Sequence, residues 1–154
     1  MDLILKIVLH YLPLLFLAYI LYMVFIHNVR KKKYTRIENK RLQKVVITKL
    51  TCAFTLYERL TGLLNHHSLP IDEALLIEPA HRIHTKGMHF PIDVIFIDKV
   101  NKVIALIENI APEENTCIFP KKQYSHKGTR KVLELASRGA KLYDFRVGDE
   151  LVFK

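Results

Sequence analysis

The sequence predicts an α+β protein: a small, mostly antiparallel β domain, barrel-like or sandwich, with two short helices, preceded by one N-terminal transmembrane helix. Three observations predict it. No Asp, Glu, Lys or Arg occurs in the 23 residues between Lys6 and Arg30. Beyond residue 45 the apolar residues come in short runs of Val, Ile and Leu, punctuated by Pro, Gly, Asn and Asp. Only two stretches there carry helix signals, and both are brief. Half of the 154 residues are hydrophobic, enough for one core, and the length favours one domain.

The first element is the helix over residues 3–28. Ile7–Ile26 is apolar all round, without a polar stripe, and about 20 such residues span a bilayer core. Pro13 sits near one end, where a membrane helix tolerates it. A cleaved signal peptide would have a basic start, a shorter apolar core and an A-x-A-like end; here the start carries Asp2 and no such site follows. The reading is thus a transmembrane anchor over 1–29, a basic juxtamembrane linker over 30–44 and a globular domain over 45–154.

Charge orients the anchor and excludes one partner. Eight Lys and Arg against Glu38 give residues 30–44 a net +7; residues 1–29 are net zero, so +2 of the total +9 remains for residues 45–154. A nearly neutral domain is a poor nucleic-acid surface, so no nucleic-acid partner is expected. The basic flank, read by the positive-inside rule, makes this a single-pass protein of the bacterial inner membrane with a cytoplasmic C-terminal domain; extracytoplasmic placement is the alternative. The expected partners are the lipid bilayer, through residues 3–28, and an envelope protein or small ligand. The two cysteines, Cys52 and Cys117, form no disulfide framework, and whether they pair stays open.

Within the domain, Val45–Leu50 reads as a first strand. Thr51 is placed to cap a helix over Ala53–Leu60 that stops at Gly62. Pro70 and Asp72 mark a turn before a strand at Ala74–Ile77. Pro91 forces extension into the strand Ile92–Ile97. A five-residue connection follows, with Asn101 suited to positive φ, and Val103–Ile107 returns antiparallel. Both faces of that returning strand are apolar, so it is expected to be central and covered on both sides. Ala111–Ser125 is loop-rich. Lys131–Ala136 is a strand, Ser137–Phe145 holds a short helix, and Val147–Asp149 turns into a last strand at Glu150–Phe153. The total is about seven strands and two short helices.

The order of motifs resembles one family. Glu58-Arg-Leu-Thr-Gly-Leu-Leu64 is similar to an R-x-x-G-L element. Ile83-His-Thr-Lys-Gly-Met88, followed by Pro91-Ile-Asp-Val-Ile-Phe-Ile-Asp98, resembles a central signature, and Val132–Leu135 and Val147–Asp149 resemble closing elements. Together they resemble domain of unknown function 192, an uncharacterised conserved membrane protein family, over residues 45–154. The resemblance implies a small β-rich fold with short helices and no established activity. It also implies export of many members, which pulls against cytoplasmic placement. Where some relatives carry Cys before the His-Thr element, this chain has Ala80 and His81.

The candidate site residues are His84, Met88, His89, Asp93, Arg59 and Glu134 as ligand-binding groups, with His81, His84, His89 and Asp93 as weak metal candidates. Histidine with carboxylate suggests a metal or acid–base centre. Residues three apart on a strand face opposite sides, however, so His81 and His84 cannot share a metal on a plain strand. Gly87 and Pro91 are expected to bend Ile83–Asp93 into one wall of the main concavity, with His84 and Asp93 near its mouth. Arg59 and Glu134 are charges beside apolar neighbours, and an inward charge needs a partner. No catalytic residue is assigned and no cofactor is predicted. The expected function is a membrane-anchored, non-catalytic accessory or binding domain at the cell envelope. The alternative is a small metal-assisted or acid–base enzyme using His84, His89 and Asp93. Three or more of His81, His84, His89, Asp93 and Glu134 in one cleft favour chemistry; dispersal favours a binding module.

Overall fold

The computed structural model describes residues 3–29, 34–112 and 129–154, with the side chains of α1 described for residues 10–23. The chain divides into two compact units, Met1–Lys32 and Lys33–Lys154. The first is a helix, α1, over Leu3–Val29. Among the described residues, no helix is long and apolar enough to cross a membrane. Within α1 the apolar run is interrupted by His10, Tyr11, Pro13, Tyr19 and Tyr22. The expected transmembrane helix and single-pass membrane assignment are corrected accordingly.

The second unit holds β1 (Ile37–Asn39), β2 (Lys44–Ile47), β3 (Lys49–Ala53), α2 (Leu56–Thr61), β4 (Glu73–Ile77), β5 (Ile92–Asp98), β6 (Val103–Ile110), β7 (Thr129–Ala136), α3 (Gly139–Leu142) and β8 (Leu151–Phe153). They form two sheets, β2-β1-β8 and β3-β4-β7-β5-β6. All pairings are antiparallel except β3 with β4, which α2 connects. The α+β, mostly antiparallel reading with two short helices fits this unit.

Period-two alternation divides the core between the two faces of the larger sheet. Leu76, Ile95, Ile97, Leu133 and Leu135 pack with Ile37, Ile47 and Leu151 of the smaller sheet and with Ala140 of α3. Leu75, Ile77, Val94, Phe96 and Val132 face the other way, packing with Leu63, Ala80, Ile83 and Met88. The strands buried on both faces are therefore β5 and β7. This corrects the expectation for Val103–Ile107. Those residues pair with β5 as expected, but β6 is an edge strand of the sheet, and Ile104, Leu106 and Ile107 are only half-buried. The connecting turn matches its chemistry: Asp98 Oδ1 accepts from Val100 N at 2.9 Å and Lys102 N at 2.8 Å, with Asn101 at φ 66°.

Two other elements differ from expectation. The basic stretch treated as a linker contains β1, whose Ile37 and Asn39 are fully buried. Asn39 turns the chain towards β2 by accepting from Arg41 N at 3.0 Å, and its Nδ2 donates to Asp149 Oδ2 at 2.7 Å. The cap of α2 is Thr55, not Thr51, which lies in β3. Thr55 Oγ1 accepts from Glu58 N at 3.1 Å while Glu58 Oε2 accepts from Thr55 N at 2.7 Å, a reciprocal capping box. Thr55→Ala should cost about 1 kcal/mol in urea unfolding, and an unchanged midpoint would show the cap to be dispensable.

Candidate functional site

One cavity, of about 400 Å³, lies between α2 with its following turn and the segment 79–88. Ile77 and Glu134 contribute to its lining from the larger sheet. The R-x-x-G-L element and the His-Thr element are its two opposing walls. Arg59 joins them: its Nη1 donates to Pro79 O at 2.6 Å and its Nε to Thr55 O at 3.4 Å. Gly87 at φ 82° and a bond from Met88 N to Thr85 O at 3.1 Å turn the segment back, so that Ile83 and Met88 bury against the sheet. Thr85 Oγ1, donating to Ala111 O at 2.8 Å, ties that turn down. The walls are apolar (Leu63, Leu64, Ile77, Ile83, Met88), while His81, Arg82 and His84 stand on the 79–88 side.

Glu134 is the unusual group. On β7 it pairs with Leu75 of β4 on one side and Val94 of β5 on the other, and it shares their apolar face. It is 4% exposed, and among the described residues no hydrogen bond or ion pair reaches its carboxylate. Burial without a compensating partner pushes its carboxyl up to about 8, so it is mostly protonated at neutral pH. Its oxygens are not fully enclosed, Thr129 Oγ1 being the one enclosed and unpartnered side-chain atom among the described residues, so the Glu134 carboxyl opens onto the cavity.

The sequence candidates fall out as follows. Arg59, Glu134, Met88 and His84 line the cavity, as does His81, whose Nδ1 lies 2.7 Å from the Thr129 carbonyl oxygen. A carbonyl only accepts, so that nitrogen carries the proton. His89 lies outside the cavity, its ring stacked on His67 at 5.3 Å between centroids. Asp93 is also elsewhere. It pairs across the sheet with Leu135, not Glu134, and so points to the opposite face. There it is fully buried, accepting from Asn109 N at 2.8 Å and Ala140 N at 2.9 Å. Among the described residues no three His, Cys, Asp or Glu side chains are grouped to hold a metal ion, so His81, His84, His89 and Asp93 form no such centre. The sequence reading missed Arg82 and the rim residues Leu56 and Leu60. Arg82 stands inside the very His81–His84 stretch that was read for its histidines alone. Cys117 lies outside the described residues; the Cys52 thiol points to the Tyr34 carbonyl, 3.6 Å away.

A second, more open concavity is lined by Lys40, Arg41 and residues 146–150. Both of its acids are already engaged, Glu150 by Lys40 Nζ at 2.7 Å and Asp149 by Arg41. Burial alone would raise the Asp149 carboxyl, but hydrogen bonds from Arg41, Asn39 and the Arg146 backbone outweigh it and hold that group below its usual range.

Comparison with known proteins adds family and fold. The model of DUF192, described as an uncharacterized ACR, matches residues 35–153. No curated protein matches. A crystal structure of a candidate transcription regulator from Sinorhizobium meliloti 1021 is similar, at 20% identity and a TM-score of 0.66, over 80% of this chain and 97% of that one. So is a protein of unknown function from Novosphingobium aromaticivorans DSM 12444, at 19% identity and a TM-score of 0.67, over 82% of this chain and 89% of that one. At such identities the likeness is one of fold.

Proposed function

The chain belongs to the DUF192 family, whose description carries no activity, and on that footing we propose that its globular domain is a non-catalytic module that binds a small ligand in the cavity beside α2. The observation that carries this reading is Glu134, a buried carboxyl without a protein partner among the described residues, facing a cavity with apolar walls. The protein leaves this carboxyl free to hydrogen-bond whatever enters the cavity, and the apolar walls favour that bond over one to bulk water. A fragment screen read by backbone amide NMR tests the idea. Hits should shift signals of 56–64 and 79–88, and Leu60→Trp, which places bulk at the exposed rim, should abolish them. Hits confined to residues 40–41 and 146–150 would put the site elsewhere.

A second reading, proton transfer, has one observation in its favour: His81, His84 and Glu134 line the same cavity, and Glu134 is pushed up to about 8. It is the weaker reading because an acid–base centre needs a positioned partner within hydrogen-bond reach, and no bond joins Glu134 to either histidine. The trio His84, His89 and Asp93 does not serve it, since only His84 lines the cavity. Turnover of any substrate that disappears in Glu134→Gln while binding persists would favour this reading over the first.

His84 offers a further check. Its side chain is exposed at the lining, so His84→Ala should change unfolding free energy by less than about 0.5 kcal/mol while weakening ligand binding several-fold. A stability loss beyond about 2 kcal/mol would make it a structural residue instead.

A further inference from the structure

Resting on the binding reading above, we propose that the cavity takes an anionic amphiphile, an aliphatic monocarboxylate whose head meets Arg59 and Glu134 and whose chain lies along Leu60, Leu63 and Met88. The first argument is charge. Two permanent cations, Arg59 and Arg82, line the cavity beside a single acid, Glu134. The second is donor geometry. Arg59 is held in place by Thr55 O and Pro79 O, which engage Nε and Nη1 and leave the Nη2 donors without a protein acceptor among the described residues. A guanidinium fixed in this way is preorganised for a carboxylate, which accepts through both oxygens.

The third argument is Glu134 itself. Because burial keeps it protonated at neutral pH, it presents an O–H donor, and a ligand carboxylate offers only acceptors. An ammonium ligand would reach only the carbonyl oxygen of the protonated Glu134, without a compensating charge, and would share the cavity with the Arg59 cation. The fourth is the apolar path. Leu63 and Met88 are buried in the walls, and Leu56 and Leu60, 65% and 59% exposed, carry the same apolar surface past the rim. Exposed leucines continuous with a cavity suit a ligand whose tail extends beyond it. The volume, about 400 Å³, suits a ligand of this size, since small-molecule pockets range over roughly 300–1,000 Å³.

Isothermal titration calorimetry of the full chain with sodium octanoate, n-octylamine and 1-octanol tests this. Octanoate should bind at least tenfold more tightly than either of the others. Arg59→Met should weaken octanoate at least tenfold and octanol less than twofold. Octanoate affinity should fall at least fivefold from pH 6.5 to pH 9 in the parent and stay level in Glu134→Gln. That variant leaves Arg59, His81, Arg82 and His84 facing the same space, so the difference isolates Glu134. Octylamine binding as tightly as octanoate, or an Arg59→Met variant indifferent to the head group, overturns the anionic assignment while leaving the cavity in place. Binding of all three probes unaffected by Leu60→Trp, or no binding at all, overturns the assignment too, and the separate fragment screen decides whether the cavity reading falls with it.

Discussion

Replacing Asp93 by alanine should destabilise the domain by about 3–4 kcal/mol, the largest loss expected from a side chain outside the apolar core. The carboxylate is fully buried and both of its oxygens are used, one on Asn109 N and one on Ala140 N. Ala140 lies in the first turn of α3, whose N-cap, Arg138, adopts a left-handed conformation and makes no side-chain cap bond. Asp93 therefore does from a neighbouring strand what an N-cap side chain ordinarily does locally, and its negative charge sits at the positive end of the helix. Removing it leaves two backbone donors unmatched, each costing roughly 1–3 kcal/mol where water cannot replace the bond. Urea unfolding of Asp93→Ala and Asp93→Asn gives the measurement. Asparagine retains one acceptor and should recover part of the loss. A variant within 1 kcal/mol of the parent would show that α3 needs no external cap. Ligand binding in the cavity should survive in the folded fraction, because Asp93 faces away from it.

That residue also shows where the sequence stops being legible. Asp93 and the His-Thr element are close in the chain, which made them look like one site. Whether they share a face depends on the parity of each strand position and on the register with β7, and register is a long-range property. The pairing of Asp93 with Leu135 and Val94 with Glu134 sends the two acids to opposite sides. The hairpin of β5 and β6 was readable because its signals are local: a branched run, a turn with Asn101, a second branched run. That β6 would be an edge was not, since apolar continuity reports burial potential, not strand order. β1 was hidden more deeply. Its register partners reach to Phe153, and a charged sequence around a three-residue strand has no local period to detect. The cap of α2 was legible and overlooked: Thr55-Leu-Tyr-Glu58 is the S/T-x-x-E pattern. Arg59 and Glu134 stood out in sequence as charges beside apolar neighbours. Their convergence on one cavity required the β3-α2-β4 crossover and the pairing of β7 beside β4.

Glu134→Gln should stabilise the protein at neutral pH, and the size of the gain should depend on pH. The parent carboxyl is raised from an ordinary 4.5 to about 8 by burial. The sign follows from proton binding. Between these values the folded state holds the proton and the unfolded state does not, so the stability present below pH 4.5 is lost progressively as pH rises to about 8. At pH 7 the loss is on the order of 3 kcal/mol, from about 1.4 kcal/mol for each pH unit above the unfolded value. Glutamine matches the shape and polarity of the protonated acid and carries no such pH term. The variant should therefore gain little at pH 4.5 and roughly 2–3 kcal/mol at pH 7, with a difference that levels off above pH 8. Urea unfolding of both proteins at pH 5, 6, 7 and 8 measures it, and the subtraction cancels titrations common to the two. Parallel pH profiles would mean that Glu134 is ionised and matched in the folded protein, which would also remove the O–H donor on which carboxylate recognition depends. A stabilised variant that binds octanoate more weakly than the parent at pH 6.5, with Arg59 still selecting it over octanol, would instead show a buried acid kept at a cost in stability because the ligand requires it.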